Sequence, residues 1–294
     1  MDAADLRLFE AVARLGVMGR AAVELHTVQS NVTARIRALE DTLGCRLFDR
    51  HAGGVSLTDA GRRLLPYAQR IPRLLADAAR AARDDGTPRG SLVIGALETT
   101  AALRLAPLLA AYAQAYPEVD LVLRPGTTCE LVEAVRDGVV DGAFVCGPAA
   151  MPGLEARPMF REELAVLAPP GTRSFEALIG AGGVRIVVLR AGCSYRQRLE
   201  ALLARRGVPT PRMMEFGTLE AIFACVAAGL GITLLPRALV GGVCAAGRVD
   251  VLALPPGEAL VETVFLRRQD AFASSALAAF LDRAGQAFAL AAAA

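Results

Sequence analysis

The residues of this chain best equipped for chemistry on another molecule are Gln29, Ser30, Asn31, Thr33, Arg35 and Arg37. They share one segment with Val32, Ile36 and Leu39, whose i, i+4, i+7 spacing is the apolar stripe of an amphipathic helix. Amides, hydroxyls and guanidiniums crowd its N-terminal end, and no acid interrupts residues 29–39. A face that merely meets water would mix Glu with Lys. Amides and short hydroxyls match the donor and acceptor pattern of base edges in the major groove, and guanidiniums match phosphates. Just upstream, Ala21, Ala22 and Leu25 form a second stripe, and His26-Thr27 reads as a tight polar corner. Two short helices about such a corner make a helix-turn-helix, whose second helix does the reading. The implied partner is double-stranded DNA; the alternative is a solvated helical hairpin.

A second constellation is spread over the rest of the chain. Thr99-Thr100, Thr127-Thr128, Cys193-Ser194-Tyr195 and Thr218 each follow a predicted strand and open a predicted helix. Backbone N–H groups, hydroxyls and helix dipoles at such starts suit a small anion such as a carboxylate. Taken singly, each is an ordinary cap; taken together, they read as one effector pocket. The set contains no base, nucleophile or metal ligand, so the pocket is expected to bind rather than react.

Composition narrows the chemistry further. Every basic residue is arginine, so neither a Schiff-base site nor a P-loop is available. The two histidines, His26 and His51, both fall in the first fifth, so the remainder cannot assemble a Ser-His-Asp or Cys-His arrangement. Six cysteines at 45, 129, 146, 193, 225 and 244 form no C-x-x-C. They read as free, mostly buried thiols; Cys193, after Gly192, is the alternative redox candidate. No metal or cofactor is expected, and no enzyme activity. The net charge of +2 announces no partner by itself, though basic residues exceed acids between Asp59 and Gly90. No charged n-region feeds an apolar run at the start, and no apolar stretch is long enough to span a bilayer. The expectation is a soluble, cytoplasmic protein.

These residues need elements to hold them. A first helix is predicted over 4–15, buried through Leu6, Phe9, Val12 and Ala13. After the paired helices, residues 43–57 read as a short hairpin, or wing, turning at 51–54. Arg50 stands at its base, placed for phosphate or the minor groove, or else for an ion pair with Asp49 or Glu40. Thr58 opens a long helix over 59–83 with a seam of Ala60, Leu64, Ala68, Ile71, Leu75 and Ala78. That is the pattern of a helix pairing with a copy of itself, or packing on its own domain, with a kink expected at Pro66 and Pro72. Residues 84–90 form a polar linker. From Ser91 strands and helices alternate, strands falling at 92–95, 119–124, 142–146, 164–168, 184–189, 213–216, 232–235, 249–254 and 261–267. The doubled βαβ rhythm predicts two similar lobes with a parallel sheet.

Residues 6–9, Arg20-Ala21-Ala22, Leu25-His26, Gln29-Ser30, Arg35-Ile36, Leu39-Glu40, Leu43-Gly44, Leu47-Phe48-Asp49-Arg50 and Leu57-Thr58-Asp59-Ala60-Gly61 resemble the winged helix-turn-helix of LysR-type transcriptional regulators. Gly95…Thr99-Thr100, Gly138…Asp141, Gly192-Cys193-Ser194 and Gly229-Leu230-Gly231-Ile232…Leu235-Pro236 resemble that family's effector-binding half, which is similar to periplasmic binding proteins. The resemblance implies an N-terminal all-α winged helix-turn-helix over 1–58, a linker and dimerisation helix over 59–90, and an α/β two-lobed effector domain over 91–294. Lobe I would hold 91–162 and 267–294, lobe II 163–266. It further implies a homodimer through the linker helix, a homotetramer on promoter DNA, a small-molecule effector between the lobes, and RNA polymerase as a further partner. Where many members carry Ser, this chain has Val28, which cannot cap the reading helix; Thr27 is the expected substitute. Arg35 and Arg37 are expected to compensate for Ala34, where many members are basic.

Overall fold

A computed structural model describes residues 1–147, 151–240 and 247–293, with side chains through residue 289. Cys244 lies outside the described residues. The chain divides into two units, Met1–Asp84 and Asp85–Ala294.

The first unit opens with α1 (Ala3–Leu15), started by a capping box in which Asp2 and Asp5 exchange side-chain and backbone bonds. Then come α2 (Met18–Glu24) and α3 (Gln29–Leu43). The corner between them places His26 at φ 51°, in the left-handed region. Phe9, Val12, Ala21, Ala22, Val32, Ile36 and Leu39 are buried together, as the periodicity predicts. The wing is β1 (Phe48–His51) paired antiparallel with β2 (Gly54–Leu57). It is tied to the end of α1, because the Val55 N–H donates to the Gly16 carbonyl at 2.8 Å. Gly54 (φ 135°) passes so near that a Cβ would stand 2.2 Å from that oxygen, which reserves the position for glycine.

The helix α4 (Asp59–Arg83) continues through Pro66 and Pro72. Its seam divides. Ala60, Leu64, Ala68 and Ile71 pack on the core of their own unit, so four of the six residues of the expected self-pairing stripe serve inside it. Leu75 and Ala78, with Tyr67 and Leu74, stay exposed.

In the second unit β3 (Gly90–Ala96), β4 (Val119–Pro125) and β5 (Gly142–Cys146) pair in parallel, with β3 between the other two. Helix α7 (Thr128–Arg136) connects β4 to β5. Between β3 and β4 the predicted single helix is instead α5 (Glu98–Thr100), a wide π-type turn over Ala101–Leu105, and α6 (Ala106–Ala115). Pro107 lacks the N–H that a regular turn there would use. The longest strand, β6 (Leu154–Ala168), joins two sheets. Helix α8 (Phe175–Gly180), β7 (Arg185–Leu189), α9 (Ser194–Arg205), β8 (Arg212–Phe216), α10 (Leu219–Ala227), β9 (Thr233–Pro236), β10 (Asp250–Ala253), a short α11 (Pro256–Ala259), β11 (Leu260–Arg268) and α12 (Ser275–Ala293) complete the chain.

The first half of β6 pairs with β11, which pairs with β5; its second half pairs with β9 and β10. Strands β7 and β8 pair in parallel, and Ile186 bridges to Ile232. Two expectations change. The sheet is mixed rather than parallel, since β6, β9, β10 and β11 all run antiparallel to a neighbour. And β11 pairs with β5, so residues 260–266, expected in the other lobe, join the sheet of β3, β4 and β5. The core beside this sheet is aromatic: Phe144 meets Phe265, Phe280 and Phe288 edge-on with centroids 5.0–6.3 Å apart.

Candidate functional site

The leading end of α3 is open. Its N-cap, Val28, offers no side-chain acceptor, and the N–H groups of Gln29 and Ser30 meet none among the described residues. Both side chains are exposed, as is Asn31. Thr27 does not take over the cap: its Oγ1 accepts instead from Asn31 Nδ2 at 2.9 Å, which holds that amide beside the corner. Gly19 on α2 leaves room for Gln29, whose Oε1 would lie 3.2 Å from a Cβ there. A helix start with bare N–H groups, a positive dipole and a fringe of amides and hydroxyls fits a phosphate and the base edges beside it.

The cations are unlike one another. Arg37 and Arg50 are exposed and make no ion pair among the described residues. Glu40, one candidate partner for Arg50, accepts instead from the Leu47 and Phe48 N–H groups at 2.7 and 3.2 Å and so braces the wing. Arg35 is engaged: its Nε and Nη2 donate to Asp5 Oδ1 at 3.1 and 2.5 Å, and Nη2 lies 3.5 Å from Asp2. Burial pushes the Asp5 carboxyl up, but the Arg35 bond and charge and the Asp2 N–H outweigh it and hold that carboxyl below its ordinary value. Arg35 thus clips α3 to the capping box of α1, where a phosphate contact was expected. Thr33 is half-buried.

The second unit holds a cavity of about 260 Å³ at the C-terminal ends of β3, β4, β7 and β8. Thr99, Thr127, Cys193 and Tyr195 line it, with Glu98 and Arg190. Thr127 caps α7 in a box with Glu130, and Arg190 Nη2 reaches Glu130 Oε2 at 3.0 Å. The Thr127 N–H, with Arg190 and against a burial cost, keeps the Glu130 carboxyl below its ordinary value. Beneath the cavity the Tyr195 hydroxyl stands 3.3 Å from Glu162 Oε2 and 3.5 Å from Thr99 Oγ1. Glu162 is 5 % exposed; burial drives its carboxyl up, against the pull of Arg104, whose Nε is 3.9 Å away.

Comparison with known proteins decides what these units are. Residues 3–62 match the bacterial regulatory helix-turn-helix protein, lysR family, and residues 85–289 match the LysR substrate binding domain. The chain belongs to the LysR family of transcriptional regulators. It is similar to the uncharacterized HTH-type transcriptional regulator YusT of Bacillus subtilis (strain 168), at 45 % identity covering 96 % of this chain and 95 % of that one. It is also similar to HTH-type transcriptional regulator GltR of the same organism, at 38 % identity covering 94 % and 93 %. Among solved structures, full-length CbnR complexed with its target DNA superposes with TM-score 0.62 at 25 % identity, covering 98 % of this chain and 100 % of that one. ArgP from Mycobacterium tuberculosis shares the fold at TM-score 0.63 and 22 % identity, covering 98 % and 97 %. A LysR regulator is not an enzyme, and no helix among the described residues is long and apolar enough to cross a membrane.

Within this LysR frame the eight expected effector residues do not share one pocket. Thr99, Thr127, Cys193 and Tyr195 do. Thr218 caps α10, accepting from the Ala221 N–H at 3.3 Å, and only its neighbour Gly217 reaches the cavity. Thr100 is wholly buried. Thr128 and Ser194 line a different cavity, of about 640 Å³, between α7 and α9 with Cys146 and Arg198. They point elsewhere because adjacent residues at a helix start project about 100° apart. Burial raises the Cys193 thiol, which disfavours the reactive thiolate. Of the thiols expected to be buried, Cys146 and Cys193 are, while Cys45 and Cys129 are exposed. Of the structurally important acids, Glu40 reads in sequence only as a partner for Arg50, Glu130 was missed although Thr127-Thr128-Cys129-Glu130 has the spacing of a capping box, and Glu162 carried no sequence signal. Glu162 sits in the charged run Arg161-Glu162-Glu163 and reads as surface.

Proposed function

We propose that this LysR regulator reads promoter DNA with the N-terminal end of α3 and is controlled by a small molecule in the cavity between its two lobes. The observation that carries the reading is the uncapped, exposed start of α3. Gln29, Ser30 and Asn31 meet base edges there, the bare N–H groups and Thr33 meet backbone, Arg37 and Arg50 meet phosphates, and Arg35 orients the helix. That CbnR, over its whole length a structural match, was solved with its target DNA supports it. The exposed Tyr67, Leu74 and Leu75 on α4 give a dimer its seam, and a pair of dimers gives the homotetramer. The effector is a small carboxylate, held by the Thr99 and Thr127 hydroxyls and by Arg190. At about 260 Å³ the cavity is below the roughly 300–1,000 Å³ of drug-sized sites, which suits a metabolite. Selection from randomised duplexes with the full chain tests the DNA assignment. A dyad-symmetric sequence should emerge, and Gln29→Ala should relax it; no enrichment, or enrichment indifferent to that change, overturns the assignment. A thermal-shift screen of small carboxylates tests the pocket, and a shift abolished by Thr127→Ala is the expected result.

A further inference from the structure

The N-cap of α3 combines two local losses. Val28 occupies a position where Ser, Thr, Asp or Asn would supply an acceptor for the first free N–H groups. Thr27 does not replace that bond, being committed to Asn31. Val28 is also 64 % exposed, so its branched methyls face water beside the exposed, polar Gln29 and Ser30. Sites that break a local rule without a local gain are where function is expected. We propose that Val28 selects thymine, through contact of its methyl groups with the base's C5-methyl; this rests on the reading of α3 as the DNA-facing helix.

The chemistry is specific. Across the major groove the four base pairs present donors and acceptors, and the C5-methyl of thymine is the one apolar group among them. A hydroxyl at the cap could not tell thymine from cytosine by that feature, whereas valine can. Its β-branched side chain is stiff, so the methyls are presented with little conformational entropy to lose on contact. Val28 lies directly before Gln29, whose amide is the natural partner of adenine. The apolar and amide contacts therefore fall on the same or adjacent base pairs, and together they specify a T·A step at the leading end of the helix. Val23 on α2 is even more exposed, at 77 %, and serves as a control for apolar surface in general.

The test uses the full chain and a duplex enriched by it, with thymines replaced one at a time by deoxyuridine, which removes only the methyl. Wild type should lose about fourfold in affinity at one thymine per half-site, the factor for withdrawing one buried methyl. In Val28→Gly and Val28→Ser, which leave no methyl there, the thymine and deoxyuridine duplexes should bind alike at that position. Val28→Ser should nevertheless melt no lower than wild type, since it restores a cap, which separates reading from folding. Val23→Ser should keep the wild-type pattern. If the variants at 28 retain the full thymine preference, or if Val23→Ser removes it instead, the inference falls while the DNA-reading helix stands. If the wild type enriches no sequence, both fall.

Discussion

Removing the Arg35 guanidinium separates a structural clip from a phosphate contact. Arg35→Ala deletes two donors to Asp5, and charge-assisted bonds of this kind are worth roughly 1.5–3 kcal/mol. The partners' side chains are 35 % and 20 % exposed, so solvent screening trims the loss to about 1 kcal/mol. In a unit of this size about 1 kcal/mol corresponds to roughly 4–8 °C. Calorimetry of the full chain should therefore show the N-terminal unit melting lower by about that much. The loss should depend on pH in a defined sense. Asp5 is held below its ordinary value of 3.8, so its contribution is complete above that pH and disappears as the pH falls through the lowered folded value. The gap between variant and wild type should close on acidification. The companion assay is DNA affinity against salt concentration. Arg35→Ala should leave the slope of log K on log salt unchanged. Arg37→Ala and Arg50→Ala should each flatten it by about 0.9, the share of one phosphate no longer neutralised, and leave the melting temperature alone. An Arg35→Ala protein of wild-type stability with a flattened slope would refute the clip.

Two further outcomes follow from packing and burial. A Cβ at Gly61 would stand 2.3 Å from the Leu47 carbonyl, so Gly61→Ala should destabilise the N-terminal unit by about 1–3 kcal/mol, visible as an earlier calorimetric transition. For Glu162 the sign is opposite to that of Asp5. Its folded carboxyl is raised above the ordinary 4.5, so wild type is most stable below that pH and loses stability as the pH rises through the raised folded value. The melting temperature of Glu162→Gln relative to wild type should thus climb from pH 4.5 towards neutrality, and a pH-independent difference would rule out a buried charge there.

The parts of the fold legible in sequence were those fixed by strong local period and turn chemistry. The stripe of Val32, Ile36 and Leu39 located α3 because only one helical face could be buried. The apolar runs of β5 and β7 located those strands. The first half of β6 was missed because Leu154-Glu-Ala-Arg-Pro-Met-Phe-Arg-Glu-Glu163 has no apolar run, its pairing with β11 being a long-range matter. The same non-locality hid the pairing of β11 with β5. At the site, residue types pointed to the reading helix, but not to which arginine is free. Arg35 and Arg37 look alike in sequence, and only the fold brings Asp5 to one of them. Likewise, consecutive Thr127 and Thr128 looked equivalent until the helix start turned them into different cavities.

Entry of the α3 start into the groove of its target is the central claim. A photo-crosslinking amino acid in place of Ser30, in the full chain on an enriched duplex, measures this directly. Crosslinks should form to bases inside each half-site, and unlabelled specific duplex should compete them away. Crosslinks absent from position 30, while the same probe in place of the exposed Tyr67 on α4 labels the bases, would contradict it.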